Sequence, residues 1–384
     1  MDKENSLTLR FFPFFILCLS FAFTFAGAGA LQQFVVPILR QRGFTELESY
    51  LPLMTIYFSF AFFRFLSGLL VKSIGLKTSL FIGTLTYILF PSAFLFNFPY
   101  AFLILVMFVW GLGAAIYWTS GTVAILLFSK ADKYGSHTGI LYTYLNVGFA
   151  IGVALLGFLN PIKGATTMFL LAFSLSLIGA YLILVLPLPP LRMKTSSPKE
   201  LFKFAFAKES RLAGFYLFVS ALALGIMFGS LGEWISHRYG FTHLTTITFI
   251  GYAGRIFLAY PGGYLSDKWG EKITLMLSFL ISAFSLVLAV FFTHPLTLAL
   301  TALTLGSQMS IVPVVATAII GRKFPPSIYH LASGAILAWN SLGVAISLLL
   351  GACLQILWKD FSTVLLVFAL LFFLCAIFSI RKEE

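Results

Sequence analysis

The sequence predicts an all-α integral membrane protein, with twelve transmembrane helices arranged as two pseudo-symmetric six-helix bundles. Three observations carry that prediction. Of 384 residues, 60% are hydrophobic and only 10% charged, whereas a soluble domain has about a quarter of its residues charged. The mean hydropathy is +0.99, and the apolar residues come in runs of about twenty, the length that crosses a bilayer. Short motifs of the first half also return, in order, in the second.

Charged, Pro and Gly punctuation divides the chain into segments near 9–38, 50–71, 77–96, 100–128, 137–159, 165–187, 211–236, 244–266, 273–293, 295–320, 331–357 and 361–380. The first looks superficially like a secretory leader, because small residues from Ala26 to Ala30 follow an apolar run. Its apolar stretch, Phe11 to Leu39, is far longer than a leader's core and is expected to stay as a helix. The longest break, 188–210, follows Pro187, contains Pro189 and Pro190, and then carries Arg192, Lys194, Lys199, Lys203 and Lys208. It reads as a basic linker between an N-terminal bundle, 1–187, and a C-terminal bundle, 211–384.

Charge placement orients these spans. With the N-terminus inside, 18 of the 25 Lys and Arg residues fall on the cytoplasmic side, five outside and two within helices. That is the bias expected of a multi-pass protein with both termini cytoplasmic, as in a cell (inner) membrane. The net charge of +12 is therefore topological, since the basic residues form short clusters between apolar runs. No nucleic-acid surface is implied. Cys18, Cys353 and Cys375 lie in apolar stretches without metal spacing and read as small hydrophobes.

The internal repeat is visible residue by residue. Arg42-Gly43-Phe44-Thr45 recurs as Arg238-Tyr239-Gly240-Phe241-Thr242. Gly68, Lys72, Gly75 and Lys77 return as Gly263, Asp267, Gly270 and Lys272, at an offset of 195. His137 and Asn146 have counterparts in His330 and Asn340. The second copy, Gly263-Tyr264-Leu265-Ser266-Asp267-Lys268-Trp269-Gly270-Glu271-Lys272, resembles the cytoplasmic loop motif of the major facilitator superfamily. The first copy departs from it, with Lys72 and Ser73 in the acidic and basic places, and reads as a topology-setting loop. Gly148, Gly152 and Gly157 resemble the Gly-rich fifth helix of that family, without its usual proline. The resemblance implies a 6+6 fold and alternating-access transport of a small molecule, by a monomer without cofactor. In such a protein, Asp267 at the end of span eight is expected to pair with basic groups or helix N-termini of a neighbour and act as an inner latch.

Ionisable groups inside spans are functional candidates, because burying one costs about 2.5–3.5 kcal/mol on insertion scales. Arg255 lies mid-way along span eight and Arg64 on span two, where snorkelling to the inner surface is the competing reading. Among 13 acidic residues only Glu233 falls within a span, so an anionic solute is expected to complete the pairing of the two guanidinium groups. Arg64 stands four residues before Gly68, the spacing of the paired arginines of nitrate/nitrite porters; Arg255 stands eight before Gly263, so nitrate is not implied. Glu233 is a candidate proton-coupling carboxylate, or else a partner of His237 or Arg238 at the aqueous rim. His137 and His330, at helix starts, are expected to cap helices or face solvent.

The resemblance places spans one, four, seven and ten around a central cavity, with help from two, five, eight and eleven. Gln32, Gln33, Tyr117, Trp118, Asn146, Gln308, Trp339 and Asn340 are the candidate lining; interhelical hydrogen bonding alone would also account for the amides. Gly27 and Gly29 on span one, and Gly225, Gly229 and Gly232 on span seven, permit close packing or local unwinding. No nucleotide-binding loop, catalytic triad or His/Glu metal pair stands at recognisable spacing, so neither enzyme activity nor a metal is expected. The leading expectation is a secondary transporter of a small anion, with H+ as candidate coupling ion and the bilayer as its solvent. Efflux of hydrophobic or amphipathic compounds, or a non-transporting receptor or lipid-moving role, are the alternatives.

Overall fold

The computed structural model describes all residues except 1, 36–37, 40–41, 131, 190, 192, 195–196, 229–234, 236–238, 240, 293, 359–360 and 381–384; side chains are also left undescribed at 2–11, 46, 158, 160–163, 198, 200, 202–203, 208–209, 212, 228, 241–242, 244–245, 248, 351–358, 361 and 380. Twelve long helices follow one another: α1 (Asp2–Thr24), α2 (Glu46–Ile74), α3 (Leu76–Leu95), α4 (Tyr100–Phe128), α5 (Tyr134–Lys163), α6 (Ala165–Val185), α7 (Lys208–Phe228), α8 (Phe241–Trp269), α9 (Glu271–Phe291), α10 (Pro295–Lys323), α11 (Tyr329–Trp358) and α12 (Phe361–Ile380). Ten helical stretches among the described residues are long and apolar enough to cross a bilayer, and α7 carries a shorter apolar run, Ala213–Met227. A nearly all-helical chain is what a bilayer demands, since every backbone N–H and C=O must be satisfied within the segment.

Local signals explain where the helices start and stop. Thr45 opens α2 through a capping box: Glu48 N–H donates to the Thr45 hydroxyl, and the Thr45 N–H donates to the Glu48 carboxylate at 2.8 Å. Single glycines join α2 to α3 and α8 to α9: Gly75 has φ 87°, ψ 154° and Gly270 has φ 86°, ψ 162°. Only glycine occupies that region readily, so the loop motif's second glycine is dictated by a one-residue turn. Past the end of α1 the chain winds through a π-helical turn, Phe25–Gly29, and then a 3-10 turn, Gln32–Phe34.

Two compact units emerge, and they do not coincide with the two halves of the sequence. The first comprises Met1–Ala131, Tyr144–Phe206 and Lys323–Ala338; the second comprises Asp132–Thr143, Ala207–Arg322 and Trp339–Glu384. In the first, α1 lies on α5 through the predicted glycine run: a β-carbon at Gly148 or Gly152 would strike the carbonyl of Ala22 or Ala26. Small residues thus let backbones meet where dispersion and polar contacts, not water expulsion, hold helices together. Buried hydroxyls tie span one to α6 as well, with Ser20 donating to the Gly179 carbonyl at 2.8 Å and Ser176 accepting from Ala28 N–H at 3.0 Å.

In the second unit a ladder of hydroxyls links α9 and α10. Thr301 donates to the Ser285 carbonyl at 3.0 Å, and the Ser285 and Thr304 hydroxyls meet at 2.5 Å. Ser347 on α11 donates to the Leu222 carbonyl of α7 at 2.8 Å, where Gly225 leaves room for it. Large side chains such as Phe62, Phe257 and Phe284 stand more than 60% exposed, which suits a surface that faces lipid.

The expected linker carries a helix of its own. A short helix, Pro198–Ala205, packs Leu201 and Ala205 against Leu331 and Ala335 of α11 and against Phe65, Leu66 and Leu69 of α2. The Lys194 N–H donates to the Ser327 carbonyl at 3.0 Å. All of these residues belong to the first unit.

Candidate functional site

The second loop motif builds a charged junction of four helix ends, all in the second unit. Gly263 on α8 faces the Gly135 carbonyl so closely that a β-carbon would collide with it. One turn on, the Asp267 carboxylate accepts from the first amides of α5: Gly135 N–H at 3.1 Å, Ser136 N–H at 2.8 Å and the Ser136 hydroxyl at 2.6 Å. The first N–H groups of a helix have no intrahelical acceptor, and the dipole there favours an anion. Asp267 is also ion-paired with Arg322 at the end of α10, and Arg322 is paired with Glu271 at the start of α9. Lys268 and Lys272 point to the exposed side, Lys268 Nζ lying 5.8 Å from the Tyr264 ring.

The first loop motif lies in the other unit and is built differently. Gly68 on α2 meets the His330 carbonyl of α11 as tightly as Gly263 meets Gly135. Lys72 and the exposed Lys77 flank Gly75, and Ser73 bonds its own helix, donating to the Leu70 carbonyl at 2.8 Å. His330 is fully buried. The expectation that it faces solvent is corrected: the second residue of α11 is covered by α2 and lies beside Lys194 of the linker.

Arg64 is only 3% exposed, and its guanidinium carbon lies 5.3 Å from the centre of the Phe60 ring. Phe60 is one turn earlier on the same helix, so cation–π contact supplies part of what solvent would. Arg255 is half-buried, 5.4 Å from the Tyr252 ring, and its side-chain stem lies against Gly306 of α10. The two arginines belong to different units.

Around Arg64 the first unit gathers a polar–aromatic locus. Tyr57 donates to the Gln32 side-chain carbonyl at 2.9 Å, and Tyr57, Arg64 and Tyr117 all lie within electrostatic reach of the Tyr87 hydroxyl, which accepts from Trp118. Tyr117 is fully enclosed, stacked on Phe21 at 4.4 Å; Trp118 stands edge-on to Phe21 and Phe25 and is half-buried, as are Gln32 and Gln33. Tyr57 and Tyr87 were not singled out from the sequence. Tyr57 lies two turns before Arg64 on one face of α2, a spacing that would have marked it.

Asn146 is buried on α5 in the first unit. In the second unit, Gln308 on α10 is fully buried, and neither of its amide atoms has a hydrogen-bond partner among the described residues. Trp339 and Asn340 on α11 are half-buried; the Trp339 indole fills the space that Gly214 leaves on α7. Glu233, with Gly229, Gly232, His237 and Arg238, lies outside the described residues. Among the described residues no cluster of three His, Cys, Asp or Glu side chains could hold a metal.

The family model of the Major Facilitator Superfamily matches residues 17–254 and 213–384, which together cover nearly the whole chain. This chain belongs to the major facilitator superfamily. Among curated proteins, this facilitator is similar to the UNC93-like protein MFSD11 of Xenopus tropicalis, with 26% identity over 183 residues. That match takes in 45% of this chain and 41% of the relative, so the chain spans about two fifths of that protein's length. Two solved structures share the fold across 97% of this chain and all of theirs at 19% identity: a variant of the Escherichia coli fucose:proton symporter FucP, TM-score 0.73, and FucP in an outward conformation, TM-score 0.74.

Proposed function

We propose that this facilitator is a secondary transporter that moves a small anion by alternating access. The two six-helix halves, 1–187 and 211–384, rock about the solute, with both termini and the 188–210 linker on the cytoplasmic side. The observation that carries the anion reading is the charge of the helix interiors: the described spans hold Arg64 and Arg255, and every described carboxylate stands at a helix end or in a loop. A guanidinium against an aromatic ring is suited to planar carboxylate or phosphate groups. Gln32, Tyr57 and Trp118, which lie with Arg64 in the first unit, are polar groups that would orient a solute there. Asp267, Arg322 and the α5 start act as the inner latch, closed when Asp267 caps α5 and open when that contact is lost. Glu233 is the candidate proton carrier.

Uptake of a panel of radiolabelled carboxylate and phosphate anions into proteoliposomes tests this reading. Arg255→Ala should lower uptake at least about tenfold, the loss of one charge-assisted contact, and Arg255→Lys should recover part of it. Undiminished uptake in Arg255→Ala would falsify the anion site. Glu233→Gln should keep exchange of preloaded solute but lose acceleration by a pH gradient. If the protein instead moves lipophilic cations and no anion, the aromatic locus around Phe21, Phe25 and Trp118 becomes the site of an efflux carrier.

A further inference from the structure

The two loop motifs share a backbone and differ in charge. At the α8–α9 turn, Asp267 and Glu271 supply two carboxylates; at the α2–α3 turn the residues 195 positions earlier are Lys72 and Leu76. The turns themselves match, with Gly75 and Gly270 within a few degrees of each other. Neither α3 nor α9 has a side-chain cap at its glycine start, but α9 begins with an acid in its first turn and α3 begins with none. Beside that start, between the turn and the segment that follows α6, lies a cleft of about 240 Å³. Lys72 and Lys77 stand on one side of it; Leu188, Pro189, Leu191 and Met193 form the other, and among the described residues no carboxylate lines it. Exposed Lys194 and Lys199 continue the basic character along the linker. The first half thus keeps the anion-accepting start of a helix and two ammonium groups, without the internal carboxylates that the second half supplies.

We propose that this cleft binds the phosphate of an acidic phospholipid. The two ammonium groups and the N-terminal amides of α3 take the phosphodiester, and the apolar side chains of Leu188, Pro189, Leu191 and Met193 take the glycerol and upper acyl chain. Both lysines stand at the membrane-boundary end of a span, the depth of lipid phosphates. The lipid orders the α2–α3 turn against the post-α6 segment. The proposal rests on the orientation given above, since acidic lipids concentrate in the cytoplasmic leaflet, but not on the transported solute.

Native mass spectrometry of the full chain in neutral detergent, titrated with phosphatidylglycerol, phosphatidylcholine or inorganic phosphate, tests the site independently of transport and of orientation. Phosphatidylglycerol should be retained and phosphatidylcholine should not. Lys72→Gln/Lys77→Gln should weaken retention by about tenfold or more, while Lys130→Gln/Lys133→Gln, basic residues outside the cleft, should leave it unchanged. Leu76→Glu, which installs the acid of the second half, should also abolish retention; the double lysine variant alters accessible side chains only and serves if Leu76→Glu fails to fold. Competition by inorganic phosphate would show that the phosphate alone satisfies the cleft, and lack of competition that the lipid's apolar part is also needed; either supports the assignment. Equal retention by wild type and Lys72→Gln/Lys77→Gln, or equal loss in the Lys130/Lys133 variant, would overturn it.

Discussion

At the scale of single residues, Asp267 shows how one carboxylate is made to hold two helices. It takes three hydrogen bonds from the start of α5 and one ion pair from α10. An amide in its place would present N–H groups to N–H donors. Asp267→Asn should therefore cost about 2 kcal/mol, in the range of hydrogen bonds to charged groups, and lower the melting temperature by a few degrees. Arg322→Gln should cost less, about 0.5 kcal/mol, since its side chain is 28% exposed and an exposed pair contributes little. Melting of the detergent-solubilised variants, followed by fluorescence size-exclusion, ranks the two; a larger loss in Arg322→Gln would refute the capping role. The motif spacing around Asp267 was legible in the sequence. The kind of partner, a basic group or a helix N-terminus, was legible too; which residues supply it was not, because Ser136 lies 131 residues away and nothing local marks it.

At the scale of elements, glycines decide which helices touch. The run Gly148, Gly152, Gly157 was readable as a packing face, and the first two seat α1. The short linker helix was not readable. Eight residues with two lysines and a glutamate look like a solvated break, and among its described side chains Leu201 and Ala205 lie buried against α2 and α11. Its docking makes a strap across the contact where Gly68 meets His330, in place of the carboxylate that the first loop motif lacks. Leu201 is 1% exposed, so Leu201→Ala should cost about 2–4 kcal/mol of local stability. Trypsin cleavage at Lys194 and Lys199 should then accelerate several-fold, while cleavage elsewhere stays unchanged; unaltered cleavage would show that the strap is not held by this contact.

At the scale of the whole molecule, composition and charge placement were enough to read a multi-pass helical protein, and the offset of 195 was enough to read a repeat. The sequence halves, however, are not the compact units. Lys323–Ala338 of the second half completes the first unit, and Asp132–Thr143 of the first half completes the second. Sequence reading could not find this, because helix boundaries carry no record of which distant helix covers them. A fragment of residues 1–206 lacks the start of α11 that shields Gly68, Leu66 and Leu69. Expressed alone it should be recovered in monodisperse form at least about tenfold less than when co-expressed with 207–384, as an uncovered packing surface favours aggregation. Equal recovery would mean that the first six helices suffice for a stable unit.

The π-helical turn of span one has a geometric consequence. Ala30 N–H reaches back to the Phe25 carbonyl, five residues earlier, so one more residue is wound into that turn than an α-helix holds. Everything beyond Gly29 is thereby rotated by about 100° relative to a continuous α-helix. A helical wheel drawn through Phe12 to Phe34 therefore assigns Gln32 and Gln33 to the wrong side. Substitution scans along this span have two phases, one before Phe25 and one after Gly29, and the bond from Tyr57 to Gln32 exists only in the second.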